Sequence, residues 1–331
     1  MSKIKDTDYL SVSAWLRAME NRLLNRERME RMLEARSDDD AVKVLSECGY
    51  GEMGALSGSA LDALTAKARS ELYRQLKDAA PDPRLVEVFQ MKYDYHNAKV
   101  LLKAQAVGAQ AAGLLMEGGR WSAGAVREAF QKDDLREFTP VFQQAVDQAR
   151  EVLRAGGDPQ QADFALDRAY FEEMRQTAKA SESAFLQGYV ELLTDAVNLR
   201  SCVRAARMGK GGEFLSQVLL PGGSVSVRDL ADRKSDLAAL FRSTPLADAA
   251  ALGAGLSAPG SGELTGFERA CDNAVTAYLA QAKRTPFGER VVIGYVYARE
   301  SELTAIRTIL SGRMAGLSAD TIRERLREAY V

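Results

Sequence analysis

A chain of 331 residues can hold two or three compact units, and its 46% apolar and 27% charged side chains are those of an ordinary globular protein. Forty-four basic against forty-six acidic residues leave a formal charge of −2, too balanced for affinity driven by counterion release from nucleic acid. No run approaches the ~18 apolar residues of a membrane span, the opening MSKIKDTDYL lacks an apolar signal core, and the cysteines (Cys48, Cys202, Cys271) are scattered and odd in number. Such cysteines fit buried thiols in a reducing cytosol, and the chain is expected to meet a membrane complex only from the water side.

Helix formers dominate and β-branched alternation is almost absent, so the chain reads as all-α. In chain order, Leu10, Ala14, Leu16 and the run to Leu33 predict an N-terminal amphipathic helix. Ser37 then opens a short charged helix with Asp38, Asp39 and Asp40, in capping-box spacing. Gly49, Gly51 and Gly54 satisfy G-x-G-x-x-G, but a dinucleotide fingerprint needs a preceding strand, so this is read as a helix end and loop. A first long helix covers 88–108, and Gly118-Gly119 mark a joint before the next N-cap serine, Ser122. A second long helix covers 185–209 and runs into Gly209-Lys210-Gly211-Gly212, which lacks phosphate-loop spacing and is read as another joint. Pro221-Gly222-Gly223 precede a third serine start, Ser226 with Asp229. Residues 245–266, rich in Ala, Gly and Ser, are expected to be a mobile loop or a poorly packed short helix. The third long helix covers 291–316, with Leu303, Ile306, Ile309 and Leu310 on one face, and Ser318 opens a closing short helix.

The three long helices superimpose as one repeat. A cation falls at Lys99, Arg200 and Arg307, and a glycine follows nine residues later at Gly108, Gly209 and Gly316. Asn97 and Asn198 precede two of the cations by two residues. The pattern of short helix, connecting helices and long helix predicts three helical repeat domains, 1–112, 113–216 and 217–331, with the two ends completing one unit as in a ring cut open. The recurring cations are read as internal ion pairs or a solvated helix face; the alternative is a positive ring facing an acidic partner. Asp38, Asp39 and Asp40 are read as first-turn acids, the alternative being a metal cluster of an all-α enzyme. His96, the only histidine, excludes any site needing two imidazoles from one chain, and is read as a packed or partly exposed polar residue. No catalytic, cofactor-binding or metal-binding residue is assigned.

The C-terminal part carries a family resemblance: Gly294-Tyr295, Glu300, Glu302-Leu303, Ile306-Arg307, Ile309-Leu310, Gly312, Gly316-Leu317 and Ile322-Arg323 to Leu326. Tyr93 to Lys103, Leu166 to Phe171 with Asn198-Leu199-Arg200, and Tyr9 to Glu20 with Leu23-Leu24 extend it over nearly the whole chain. Together these segments resemble the C subunit of V-type and archaeal (A-type) ATP synthases, the AC39 or d-subunit family, with departures at Ser13, Trp15 and 245–266. The resemblance implies three similar helical domains about a pseudo-threefold axis, shaped like a funnel. It also implies a non-catalytic central-stalk part at the cytoplasmic side of the membrane, joining the axle subunits to the membrane ring of ion-carrying subunits and passing torque without a cofactor. A stand-alone helical scaffold is the rival reading.

Overall fold

The computed structural model describes residues 4–232 and 236–331; Met1, Ser2 and Lys3 of the polar opening stretch lie outside them. Sixteen α-helices follow one another, with no strand among the described residues: α1 (Leu10–Glu20), α2 (Arg26–Leu33), α3 (Asp38–Glu47), α4 (Gly58–Ala79), α5 (Arg84–Val107), α6 (Ala123–Lys132), α7 (Pro140–Arg154) and α8 (Pro159–Ala180) form the first half. The second half comprises α9 (Ala184–Arg207), α10 (Gly212–Val218), α11 (Val227–Ala231), α12 (Leu237–Leu240), α13 (Ala247–Gly255), α14 (Thr265–Leu279), α15 (Glu289–Met314) and α16 (Ala319–Arg325). None of the described helices is long and apolar enough to cross a membrane.

The helix starts obey their caps. Ser37, Ser122 and Ser318 each accept a backbone N–H three residues on, at 3.1, 3.2 and 3.2 Å. Ser37 Oγ also donates to the Asp40 carboxylate at 2.8 Å, so the expected box closes through side chains. Ser226 takes the N-cap position of α11 without a side-chain capping bond. The three long helices end alike. Gly108, Gly209 and Gly316 have φ of 66°, 67° and 70°. The next amide in each case reaches back five residues, Ala109 to Ala104, Lys210 to Ala205 and Leu317 to Gly312, at 2.9, 2.9 and 3.0 Å. This is the Schellman stop, in which a Cβ would strain the left-handed residue.

Two expectations are corrected. The predicted N-terminal helix is two, because Asn25 leaves helical geometry to cap α2 through Arg28 N–H, and Leu24 N–H is taken by Glu302 at 2.7 Å. Local apolar spacing cannot register an acceptor so distant in sequence. Within residues 245–266 the short helix forms, as α13, but it is not poorly packed: its Ala249 and Ala250 are buried beside Leu246, and its Gly253 lies so close to Phe267 and Val203 that a Cβ would meet them at 2.7 and 2.8 Å. Small residues there permit close helix packing.

Three cores result. The largest gathers the N-terminal halves of α5 and α15, the ends of α4 and α8, and most of α9, α13 and α14. A second joins Leu24–Leu61 positions of α2, α3 and α4 to Leu303, Ile306, Ile309, Leu310 and Ile322 of α15 and α16. A third joins the C-terminal half of α5 to α6, α7 and α8. The long helices thus meet near their N-terminal halves, and the C-terminal halves of α5 and α15 run on into separate cores.

Candidate functional site

The meeting point is aromatic. Phe89 of α5 stacks on Tyr189 of α9 at 5.1 Å, and Tyr189 meets Tyr297 of α15 edge-on at 6.4 Å. One turn further along, Lys92, Leu193 and Glu300 stand at equivalent places, each seven residues before its helix's cation. Glu300 is buried and accepts three bonds: from Tyr73 Oη of α4 at 2.5 Å, Tyr93 Oη at 2.5 Å and Lys92 Nζ at 2.8 Å. Burial pushes this carboxyl up, but the Lys92 charge and the two hydroxyls outweigh it and hold it below the usual range. Both tyrosines are pushed up, by burial first and by Glu300 second. Above this floor lies a cavity of about 310 Å³, its walls including Phe89, Lys92, Tyr189, Leu193, Tyr297 and Glu300.

The recurring cations are engaged within the chain, and in cyclic order. Lys99 of α5 pairs with Asp167 of α8 at 2.6 Å, Arg200 of α9 with Asp272 of α14, and Arg307 of α15 with Asp62 of α4. Each partner thus lies on the helix leading into the next long helix. Asn97 exchanges two bonds with the backbone of Met116, both 2.8 Å, and Asn198 does the same with Leu220, both 2.8 Å. These amides pin the loops that precede α6 and α11.

Sequence reading missed a third recurring set. Five residues before each cation stands a buried carboxylate that holds a loop: Asp94, Asp195 and Glu302. Asp195 accepts from Ser224 N–H at 3.0 Å and Val225 N–H at 3.3 Å, and Glu302 from Leu24 N–H. Asp94 accepts from Arg120 Nε of the loop before α6 at 2.7 Å through Oδ2, while its buried Oδ1 has no hydrogen-bond partner. The glycine pairs read as joints sit on these acids. A Cβ on Gly119 would lie 2.2 Å from Asp94 Oδ1, and one on Gly223 would lie 2.1 Å from Asp195 Oδ1. Close approach to a buried carboxylate is therefore the reason for glycine there. Arg120 also reaches Glu173 at 2.7 Å, and Glu173 further accepts from Tyr95 and Thr139. Desolvation outweighs Arg120 at Asp94 and raises it to about 7. The register that aligned the cations would have found these acids had it been carried five residues upstream.

The other candidates fall apart from this crossing. Asp38 caps the joint between α2 and α15 through Arg313 Nε at 2.9 Å, Asp40 pairs with Lys43 at 3.0 Å, and Asp39 is exposed. Among the described residues no group of three or more His, Cys, Asp or Glu side chains could hold a metal ion. Gly49 ends α3 with φ 82°, so the G-x-G-x-x-G stretch follows a helix. Gly209 ends α9 and Gly211 caps α10, so the Gly-Lys-Gly-Gly stretch is a helix-to-helix turn. His96 Nε2 lies 3.2 Å from the Leu114 carbonyl, half-buried on α5. Cys48, Cys202 and Cys271 are buried free thiols, desolvated upward to about 11, 12 and 11. The buried acids of the crossing take donors from neighbouring elements, an arrangement that locks helices together beside the cavity.

The sequence matches the family described as ATP synthase (C/AC39) subunit over residues 12–325. It is 23% identical over 332 residues to the C subunit of the V-type sodium ATPase of Enterococcus hirae, covering 98% of this chain and 99% of that one. It is 25% identical over 343 residues to the C subunit of the V-type ATP synthase of Thermus thermophilus, covering 96% and 98%. The C subunit of the A-type ATP synthase of Methanocaldococcus jannaschii is 25% identical over 352 residues, covering 96% and 86%.

Proposed function

The chain belongs to the ATP synthase (C/AC39) subunit family, and from that premise we propose that it is the non-catalytic central-stalk subunit of a rotary V/A-type ATPase. In this reading it is a socket that links the rotor axle to the membrane ring of ion-carrying subunits and passes torque between them. It sits peripherally at the cytoplasmic side of the membrane. Three helical modules form the socket, and the axle end enters between α5, α9 and α15.

The observation that carries the reading is the cyclic order of Lys99–Asp167, Arg200–Asp272 and Arg307–Asp62, the last of which returns to the first module. Three like helices tied in a closed circuit around a cavity suit a part that must resist twisting, because close-packed interiors transmit strain with little compression. The face away from the cavity is left for the polar loops of the membrane ring.

The test is site-directed crosslinking in assembled complexes. Thr304→Cys, an exposed position at the cavity, should crosslink to an axle subunit, while Ser46→Cys, exposed on α3, should not. Crosslinking from Ser46→Cys alone would refute the socket.

A further inference from the structure

The socket reading asks what borders the space that an inserted helix would enter, a helix with its side chains being about 10 Å across. The cavity beside Glu300 holds about 310 Å³.

One wall of the cavity is not a helix. After α16 the segment 326–331 runs without regular secondary structure across α14 and towards α15. Leu326, Arg327, Glu328, Ala329 and Val331 line the central cavity on one side, and on the other a cleft of about 620 Å³ bounded by α2 and α14. A single extended segment therefore partitions what would otherwise be one continuous space.

Its seat combines hydrogen bonds with packing: Leu326 and Ala329 lie against the second core, Val331 against the first, and Lys283 Nζ stands 6.0 Å from the Tyr330 ring centroid. Arg327 Nε donates to Asp272 at 2.6 Å, and Glu328 N–H donates to Asn273 Oδ1 at 3.0 Å. Tyr330 is buried with its ring beside Gly294, where a Cβ would meet the hydroxyl at 2.5 Å. That hydroxyl has no hydrogen-bond partner, the Arg17 guanidinium being nearby but outside hydrogen-bond geometry. A buried, unpaired hydroxyl weakens its own seat. Asp272 already holds Arg200, whereas Asp62 and Asp167 carry one cation each among the described residues. The Arg200–Asp272 link of the circuit is thus shared between a long helix and this segment.

We infer that segment 326–331 is a displaceable strap: seated, it divides the centre of the molecule, and lifted, it joins cavity and cleft into a seat for an inserted helix. The identity of that helix as the axle rests on the socket reading; the movement of the strap does not.

Met29, buried on α2 and lining both spaces, reports on the strap directly. In the full chain Met29→Cys is treated with Ellman's reagent, against Ser46→Cys as an exposed reference; the native thiols are buried. Adding Arg327→Ala should raise the relative rate about threefold, and Arg327→Ala with Tyr330→Ala at least tenfold, with the far-ultraviolet circular dichroism unchanged. Equal rates with and without Arg327→Ala in folded protein would overturn the strap; that single variant removes one partly exposed bond and serves if the double variant does not fold. The isolated axle subunit is then titrated onto the same proteins and should bind at least threefold more tightly to the strap variants. Faster labelling with equal, measurable axle affinity would overturn the competition between strap and helix. Faster labelling with no axle binding in any background would count against the socket and leave the strap standing.

Discussion

Replacing Glu300 by glutamine tests whether the crossing of α4, α5 and α15 is held by charge. The carboxylate accepts from Tyr73, Tyr93 and Lys92 at 2.5, 2.5 and 2.8 Å while itself buried. Glutamine keeps the volume but offers one acceptor oxygen, and its NH₂ then faces a ring of donors. Bonds to a charged group contribute about 1.5–3 kcal/mol each and neutral ones about 1. Losing one bond and weakening two comes to about 3 kcal/mol, a sum moderated because the Lys92 side chain is 40% exposed and rehydrates. Urea unfolding followed by circular dichroism and tyrosine fluorescence, with coincident transitions, would read this as a lowered midpoint. The sign with pH follows from the depressed carboxyl: its contribution is present above the unfolded value of about 4.3 and is lost as pH falls through the folded one. The gap between the two proteins should therefore close in acid. Combining Glu300→Leu with Tyr73→Phe and Tyr93→Phe should cost less than Glu300→Leu alone, since removing all the buried polar partners strands none. A Glu300→Gln protein within about 0.5 kcal/mol of the parent at pH 7 would refute this reasoning.

Asp94 works in the opposite sense. Its folded value is raised to about 7, so its contribution is full below the unfolded value of about 3.9 and is lost as pH rises from there to 7. Asp94→Asn should flatten the stability profile by about 1 kcal/mol per pH unit between pH 5 and 7, measured by urea midpoints. Gly119→Ala should cost about 1–3 kcal/mol by forcing a methyl onto Asp94, whereas Gly124→Ala, with only Ser122 Oγ at 3.9 Å, should be neutral or stabilising in the same thermal melts. The equivalent ion pairs should not be equal in energy. Arg307→Ala, with half its side chain exposed, should change stability by no more than about 0.5 kcal/mol, while Arg200→Ala, 17% exposed and bonded to both Asp272 and the Glu268 carbonyl, should cost about 1–2 kcal/mol.

Local chemistry was legible in the sequence. The serine caps, the glycine stops and the shared register of Lys99, Arg200 and Arg307 all depend on neighbours within a few residues, and a reader of the chain finds them. The acids that anchor the loops were harder, because Asp94, Asp195 and Glu302 look like any surface charge on a helix until their partners are known. Glu302 takes Leu24 N–H from 278 residues away, and no local pattern announces that. For the same reason the break between α1 and α2 was hidden inside a stretch rich in helix formers. Alanine and glycine around α13 suggested looseness, yet their small size is what lets that helix press against Phe267. Composition indicates what a segment could bury, but not whether a neighbour arrives to bury it.

The second core has a consequence for synthesis. Its apolar faces on α2 and α3, including Met32, Leu33, Val44 and Leu45, are covered by Ile306, Ile309 and Leu310 of α15. A ribosome releases those faces early and their cover some 250 residues later, at roughly 5–20 residues per second. For that interval the nascent chain carries a bare greasy surface, while the stretch from α5 to α8 already has all it needs to fold. Chaperone capture during translation should concentrate on the opening hairpin of α2 and α3, and should end when α15 emerges.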